Sequence, residues 1–417
     1  MASPLLQGDK KIMGEEREER FDIAVVGGGP AGLSAAYAAA KGGAKVVLFE
    51  KDQSIAHNIR TSGVTWISEM ERLGIPSKFY NPIQNYRFVS PSNDVLIIGD
   101  VPKSCVLDIR ATYQHLAFLA AKEGVHLMVK SNVIDVIKDG QKVAGIKAST
   151  PEGKLTVRST LVIDASGFST SVGRKAGVAG EWKRFGVGAE YECYCDDIDS
   201  TTWVLMVGQK YSDAGYAWLF PLSANRVRIG VGIGRPESNV EPLEKLHKII
   251  EKRFKPLDTV RYGKIQPLEL HYGFIPNEGT RRTCIADGLL MVGDSAGQSN
   301  PLVLEGIRYA IEFGRLAGKV GADSLSQNSD KESLLEYERL WRSKAEAKIH
   351  SALKVQMRWL GLTDEEWDKE IEILRDMTVQ EFLDFIKADF TTFNMMKLAL
   401  HHPKMAARQL FNMVLKS

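Results

Sequence analysis

Gly27, Gly29 and Gly32 stand in a Gly-x-Gly-x-x-Gly spacing directly after the apolar run Ile23 to Val26. They open an alanine-rich stretch, Leu33 to Ala40. Glycines so placed permit a tight turn, let backbone approach a phosphate and let a helix pack closely on a strand. The first N–H groups of that helix, with Pro30 and Ala31 in the turn, then point at a pyrophosphate with the helix dipole behind them. Lys45 to Glu50 gives a second strand whose terminal acid, Glu50, is placed to accept from a ribose diol, with Lys51 beside it. Three further positions carry chemistry. Arg110 opens a helix after Leu107-Asp108-Ile109, near where the pyrophosphate would lie. Asp164-Ala165-Ser166-Gly167 closes a buried strand with small residues that can lie beside a nucleotide. Gly293-Asp294 ends another strand. Tyr216, Trp218 and Phe220 alternate along one strand face, an aromatic wall suited to a long apolar ligand.

The elements that must position these residues follow from periodicity. Tyr86 to Ser90 and Val95 to Ile98 read as a hairpin across a Pro-Ser-Asn-Asp turn. Asp108 to Glu123 has helical rhythm and ends at Gly124. Val125 to Val129, Val133 to Ile137, Lys142 to Ala148, Lys154 to Arg158 and Thr160 to Asp164 read as strands. From Trp182 to about His271 the texture changes: Val227, Ile229, Val231 and Ile233 alternate with Arg228 and glycines, the period of a half-buried antiparallel strand. Trp203 to Gly208 and Tyr216 to Pro221 add strands, and Leu243 to Phe254 has helical spacing. Gly288 to Asp294 returns to buried-strand texture. The fold class expected is α/β (α+β). A discontinuous Rossmann-like nucleotide-binding domain spans 21–180 and 281–330, with an antiparallel-sheet substrate domain inserted at 181–280. The hairpin at 84–100 is offered to that second domain, residues 1–20 form a flexible lead, and 331–417 form a C-terminal helical region. A plain NAD dehydrogenase usually keeps its dinucleotide fold contiguous, so the interruption favours FAD.

Composition narrows the class. The 417 residues suffice for two or three domains. Hydrophobic residues at 44% and charged residues at 25% are ordinary for a globular chain. A net charge of +2 argues against nucleic acid as a partner. No run reaches the ~18 apolar residues of a transmembrane helix. The first twenty residues lack the apolar core of a signal peptide. Four cysteines, Cys105, Cys193, Cys195 and Cys284, are too few and too irregular for a disulfide framework or a metal site. A reducing cytosol fits, and the localisation expected is cytoplasmic.

Taken together and in this order, the motifs resemble the flavoproteins of the para-hydroxybenzoate hydroxylase and glutathione-reductase-like superfamily over residues 21–320. The resemblance maps its Arg motif to Arg110 and its Gly-Asp motif to Gly293-Asp294, where Asp294 would accept from a ribityl hydroxyl. A narrower likeness follows. Tyr216-Ala-Trp-Leu-Phe-Pro221 is similar to the Y-x-W-x-F-P motif of the geranylgeranyl reductase family, which there lines the lipid pocket beside the flavin. Gly293 to Pro301 and Glu305-Gly306-Ile307 resemble that family's flavin segment. The sequence departs from the family at Ile59-Arg-Thr-Ser-Gly63, where Ser62 aligns with a Cys.

The resemblance implies flavin-dependent saturation of isoprenoid double bonds in membrane-lipid biosynthesis, with FAD as cofactor and no metal. Its flavin-site residues would be Gly27, Gly29, Pro30, Ala31, Gly32, Glu50, Lys51, Arg110, Ala165, Gly167, Asp294, Gly306 and Ile307. Tyr216, Trp218 and Phe220 would hold the prenyl chain. The N–H groups at the start of the helix after Pro301 would face the flavin N1/O2 edge. Tyr216, Ser62 and an ordered water are candidate proton donors, and the water ranks first because neither hydroxyl is acidic enough alone. The electron donor is NADPH, ferredoxin or a quinol. Two rival classes stand beside this one: an FAD monooxygenase acting on an aromatic or polyene, and an electron-transfer flavoprotein. Residues 391–417 interleave Lys397, Lys404, Arg408 and Lys416 with apolar side chains around Pro403. They either pack on the FAD domain or dock on the inner face of the membrane as a peripheral contact.

Overall fold

The computed structural model describes residues 17–251, 260–261, 265–389, 396 and 400–402. The fold is α/β, built on two large sheets. The first has a parallel core in the order Leu289–Met291, Gly153–Asp164, Arg17–Val26, Val46–Phe49, His126–Met128. Its apolar strands are buried on both faces, as parallel strands covered by helices must be. Val26 is in register with both Asp164 and Phe49, and Asp164 with Met291. Four strands therefore end on one line. In an open α/β sheet, that line of carboxyl ends is where a ligand binds. The pair Asn132–Asp139 and Lys142–Thr150 joins antiparallel to Gly153–Asp164.

Two elements differ from their expected bounds. The first strand begins at Arg17, because Arg17 to Phe21 continue the parallel pairing with Leu155 to Ser159. The rest of the expected lead lies outside the described residues. The two strands expected at 154–158 and 160–164 are one twelve-residue strand. Ser159 sits buried within it, paired with Phe21 rather than forming a break.

The second sheet has seven strands in the order Gln266–Pro276, Phe185–Tyr194, Arg226–Arg235, Gly215–Ser223, Thr202–Val207, Asn85–Val89, Asp94–Ile97. Neighbours are antiparallel except Thr202–Val207 and Asn85–Val89. The early hairpin is thus an edge of this sheet. Strand periodicity separates its faces. On one, Val187, Ala189, Ala217, Leu219, Val227, Ile229, Val231 and Ile233 pack with Leu246 and Ile249 of helix Pro242–Glu251. The other face carries Gly188, Gly230, Gly232 and Trp218.

The C-terminal helices divide between the sheets. Helix Lys331–Trp341 packs Leu334, Tyr337 and Trp341 into the first core. Helices Asp364–Glu372 and Val379–Ile386 start in capping boxes, Thr363 with Glu366 and Thr378 with Glu381. Each box satisfies backbone donors at a helix start reciprocally. Their Trp367, Ile371, Phe382 and Leu383 pack with Tyr86, Phe88 and Trp203 of the second sheet. Most of the 391–417 segment lies outside the described residues. Among the described residues no helix is long and apolar enough to cross a membrane.

One helix pair sets the position of the site. Helix Pro30–Lys41 crosses helix Ile307–Ser324 through small residues. A Cβ on Gly314 would lie 2.4 Å from the Ala31 carbonyl oxygen, and one on Gly318 2.1 Å from that of Ala35. Gly318→Leu should therefore separate the helices and destabilise the chain by about 1–3 kcal/mol, the usual range for overpacking, although leucine is the better helix former. Chemical denaturation checks the loss, and FAD occupancy should fall with it, since the second helix begins at the cavity.

Candidate active site

A cavity of about 670 Å³ runs between the strand ends of the first sheet and the glycine face of the second. It lies within the roughly 300–1,000 Å³ of a small-molecule site. Gly27, Gly29, Pro30, Ala31, Glu50, Lys51, Ser62, Ala165, Gly167, Tyr216, Trp218, Asp294, Gly306 and Ile307 all line it. Gly32, Arg110 and Phe220 are the sequence-selected residues that do not.

The glycines play distinct parts. A Cβ on Gly32 would lie 1.9 Å from the Gly27 carbonyl oxygen, and one on Gly27, at φ +112°, 2.3 Å from that of Ala165. Both are required by the protein's own packing. A Cβ on Gly29 would meet nothing within 4 Å. Its missing side chain leaves room that only a bound group would fill. Glu50 Oε2 accepts from the Gly28 N–H at 2.7 Å and Oε1 from the Asp52 N–H at 2.8 Å, which fixes the carboxylate at the end of its strand. Each oxygen keeps a lone pair for a sugar hydroxyl.

Asp164 is fully buried and organises the next turn. It accepts from Ser166 N–H at 3.0 Å, Ser166 Oγ at 2.6 Å and Gly173 N–H at 2.7 Å. Burial still pushes its carboxyl above the usual range, with those hydrogen bonds opposing. Asp294 follows the strand Leu289–Met291 and faces the cavity. Burial raises its pKa from 3.8 to about 6. Gly306 and Ile307 present the start of helix Ile307–Ser324, whose positive dipole end favours an anion there. Leu304 precedes them in a left-handed conformation, at φ +50°. The donor set fits a flavin dinucleotide: a glycine turn with one open position, a strand-end acid, a second acid further along, and a helix N-terminus.

Three placements correct the expectations. Arg110 does not reach the cavity. Its guanidinium donates to the Ala56 carbonyl at 2.6 Å and pairs with Glu269 at 2.6 Å, so an opposite charge and a loop carbonyl hold it away. Phe220 stacks on Trp218 and meets Trp203 edge-on, and lines a smaller neighbouring cavity. Tyr216 lines the main cavity, but its hydroxyl donates to the Val303 carbonyl at 2.6 Å and burial pushes its pKa up. That makes it a poor acid and a good strut for the Val303–Leu304 wall.

Trp218 lies where the sequence placed it. Its indole covers the sheet where side chains are missing: a Cβ on Gly230 would come within 2.3 Å of the ring, and those on Gly188 and Gly232 within 3.5 Å. Its Nε1 donates to Glu190 at 2.6 Å. Sequence reasoning missed Glu190 and His271, both lining the cavity. Their signal was a charged or polar residue on the glycine face of an alternating strand.

It also missed a second cavity between the second sheet and the C-terminal helices. Phe88, Leu205 and Val207 face Trp359, Leu362, Trp367, Leu374 and Phe382 across it. It adjoins the first cavity at Gly186, Tyr216, Gly232 and Leu304, which line both.

Residues 22–270 match the FAD dependent oxidoreductase family. The chain is 31% identical to digeranylgeranylglycerophospholipid reductase 1 of Methanococcoides burtonii, over 89% of this chain and 92% of that protein. It is 31% identical to the digeranylgeranylglycerophospholipid reductase of Methanocaldococcus jannaschii, over 86% of this chain and 92% of that protein. Among solved structures, a geranylgeranyl bacteriochlorophyll reductase-like protein from Thermoplasma acidophilum superposes with TM-score 0.83 at 26% identity, covering 95% of this chain and 99% of that one. A flavin-dependent brominase shares the fold at TM-score 0.68 and 19% identity, covering 94% of this chain and 99% of that one.

Two outcomes test the site. Gly29→Val should fold normally, since its side chain meets no protein atom, and lose the flavin absorbance. A variant that stays yellow at full occupancy contradicts the placement. Asp294→Asn tests the buried acid. A folded-state pKa above the unfolded one means the carboxylate opposes folding above about pH 6, and the opposition is gone below about pH 4. In FAD-free protein the variant should melt higher than wild type at pH 7.5, and calorimetry should show the gap closing as pH falls to 4.

Proposed function

This chain belongs to the FAD dependent oxidoreductase family and, within it, to the geranylgeranyl reductases, and we propose that it saturates the double bonds of geranylgeranyl chains carried by membrane lipids. FAD is its cofactor. The observation that carries the substrate assignment is the second cavity. It is lined mostly by apolar side chains, and it meets the flavin cavity at Tyr216 and Leu304. The relatives' activity, reduction of a digeranylgeranylglycerophospholipid, supports the same assignment. Of the rival classes, a monooxygenase for an acidic or phenolic substrate would want mainly polar groups in that cavity, whereas its walls are mostly leucine, isoleucine, phenylalanine and tryptophan, with Gln356 and Glu370 among the few polar side chains.

When bound and reduced, FAD supplies the hydride that one alkene carbon receives. The chain's residues supply geometry and environment. Gly27, Gly29 and the first N–H groups of helix Pro30–Lys41 would hold the pyrophosphate, Glu50 the ribose, and Asp294 the ribityl chain. Gly306 and Ile307 place a helix N-terminus on the cavity, where it would stabilise negative charge gained on reduction. Trp218, flat on its glycine bed, and Tyr216 form the wall against which the alkene lies. An isoprenoid double bond polarises poorly, so alignment and exclusion of water are the chief contributions available. Ser62 lines the same cavity, and its carbonyl is tied to Arg228 at 2.8 Å, which steadies its loop.

The experiment is anaerobic. Photoreduced protein should be reoxidised by a geranylgeranyl lipid and not by its saturated counterpart. A long-lived oxygenated flavin band in air, with no lipid-driven reoxidation, would instead favour the monooxygenase. Trp218→Ala should slow lipid-driven reoxidation while FAD remains bound. Unchanged turnover would show that the indole is only core packing.

A further inference from the structure

One group of polar and ionised side chains interrupts the glycine and aromatic floor of the cavity. Glu190 and His271 are direct partners on neighbouring strands, and His271 Nδ1 lies 2.8 Å from Glu190 Oε1. The other oxygen of Glu190 holds the Trp218 indole. Arg228, 1% exposed, stands 3.7 Å from Glu190 and 3.2 Å from Glu192, and donates to the Ser62 and Leu107 carbonyls. Arg226 reaches Glu192 from the surface. Two buried carboxylates thus share one buried guanidinium, and buried charge is costly unless paired.

The far nitrogen of this ring is the telling atom. His271 is 3% exposed, and Nε2 is buried without a hydrogen-bond partner in the structure. Buried polar atoms are rarely left so without a reason. The nearest carboxylate oxygen, Glu269 Oε2, is 3.6 Å away, and Glu269 is half-exposed and paired with Arg110 at the surface. His271 lines the same cavity as Ser62, Tyr216 and Trp218. The ring has one nitrogen anchored to Glu190, the other without a hydrogen bond, and the half-exposed Glu269 beside it.

We propose that His271 is the acid that protonates the alkene, oriented by Glu190 and resupplied through Glu269. The assignment rests on the reductase function above. One alkene carbon receives the hydride, with its electron pair, that reduced FAD gives up in becoming oxidised. The π pair of the double bond takes the proton from His271 Nε2 and forms the second C–H bond. The neutral imidazole regains a proton from solvent by way of Glu269. Two electrons and one proton enter with the hydride and a second proton from His271, so one C=C becomes one saturated bond. Glu190 is a positioning residue, since it acts through the ring.

The test uses photoreduced, FAD-loaded protein and a geranylgeranyl lipid in detergent micelles, followed by anaerobic stopped flow. His271→Gln should slow reoxidation by about 10²–10⁴-fold, the usual worth of a general acid. FAD content and the half-saturating lipid concentration should not change. The wild-type rate should fall as pH rises, as a step that needs an acid must, and the variant should lose that limb. Glu190→Gln should slow the same step and alter that limb, because the ring loses the carboxylate that holds it. That second variant decides the matter if His271→Gln does not fold. A His271→Gln protein that matches the wild-type rate and pH profile overturns the assignment alone and leaves water as the donor. An unaltered rate and limb in Glu190→Gln do the same. Wild-type protein that no prenyl lipid reoxidises overturns the reductase function and this assignment with it.

Discussion

Steric clearance governs this molecule. A flat cofactor and a long chain must both lie against backbone, so side chains have to be absent along a continuous path. On the first sheet the absence is local: Gly27 and Gly32 fit the turn to its own helix, and Gly29 leaves the remaining space. On the second sheet it is extended. Gly188 on one strand and Gly230 and Gly232 on the next remove side chains from one face, while Val187, Val231 and Ile233 keep the opposite face densely packed. Strand alternation makes this possible, because a residue and its neighbour serve opposite faces. The small-residue crossing of helices Pro30–Lys41 and Ile307–Ser324 extends the same rule. It brings a helix N-terminus to the cavity that bulkier contacts would push away.

Much of the first sheet could be read from the chain because its signals are local. Gly27 to Gly32 follow a strand and open a helix, and Glu50 ends the next strand. Asp164 and Gly293 likewise mark strand ends, and register alone brings those ends together. The alternation at Val227 to Ile233 revealed a two-faced strand, and Tyr216 and Trp218 on the neighbouring strand lie beside the glycines of its open face. Arg110 shows where local signals stop. Its position at a helix start was legible, but its ionic partner, Glu269, is 159 residues away and takes its charge. Tyr216 is similar: the hydroxyl was visible in sequence, whereas its Val303 acceptor was not. Glu190, His271 and Arg228 come together only through strand pairing. The walls contributed by Trp359, Trp367 and Phe382 depend on how helices pack, which helical periodicity does not specify.

The ionised cluster and the apolar cavity impose opposite demands on neighbouring ground. Arg228 joins the sheet to the Ser62 and Leu107 carbonyls, so one guanidinium couples the glycine-faced sheet to the loop beside the flavin site. Such a residue is retained through what breaking it would leave behind: two carboxylates with reduced compensation and two carbonyls without donors. The apolar cavity has no comparable network. Its walls are held by packing among aromatic rings, such as Trp203, Phe88 and Phe382, at centroid separations of 5.3–6.1 Å.

That contrast has a consequence for how such a protein can diversify. The strands carry the chemistry, while the helices Asp364–Glu372 and Val379–Ile386 and the end of helix Ala347–Trp359 supply the far wall of the lipid cavity. These helices come last in the described chain and rest on the sheet through side-chain packing rather than strand pairing. Volume-conserving exchanges in apolar packing are tolerated far better than changes in a buried ionic network. Under the proposed function, chain length and branching of the accepted lipid can therefore drift by substitution in the last third of the sequence, leaving the flavin site untouched. Selectivity and reactivity are in this sense inherited separately within one polypeptide.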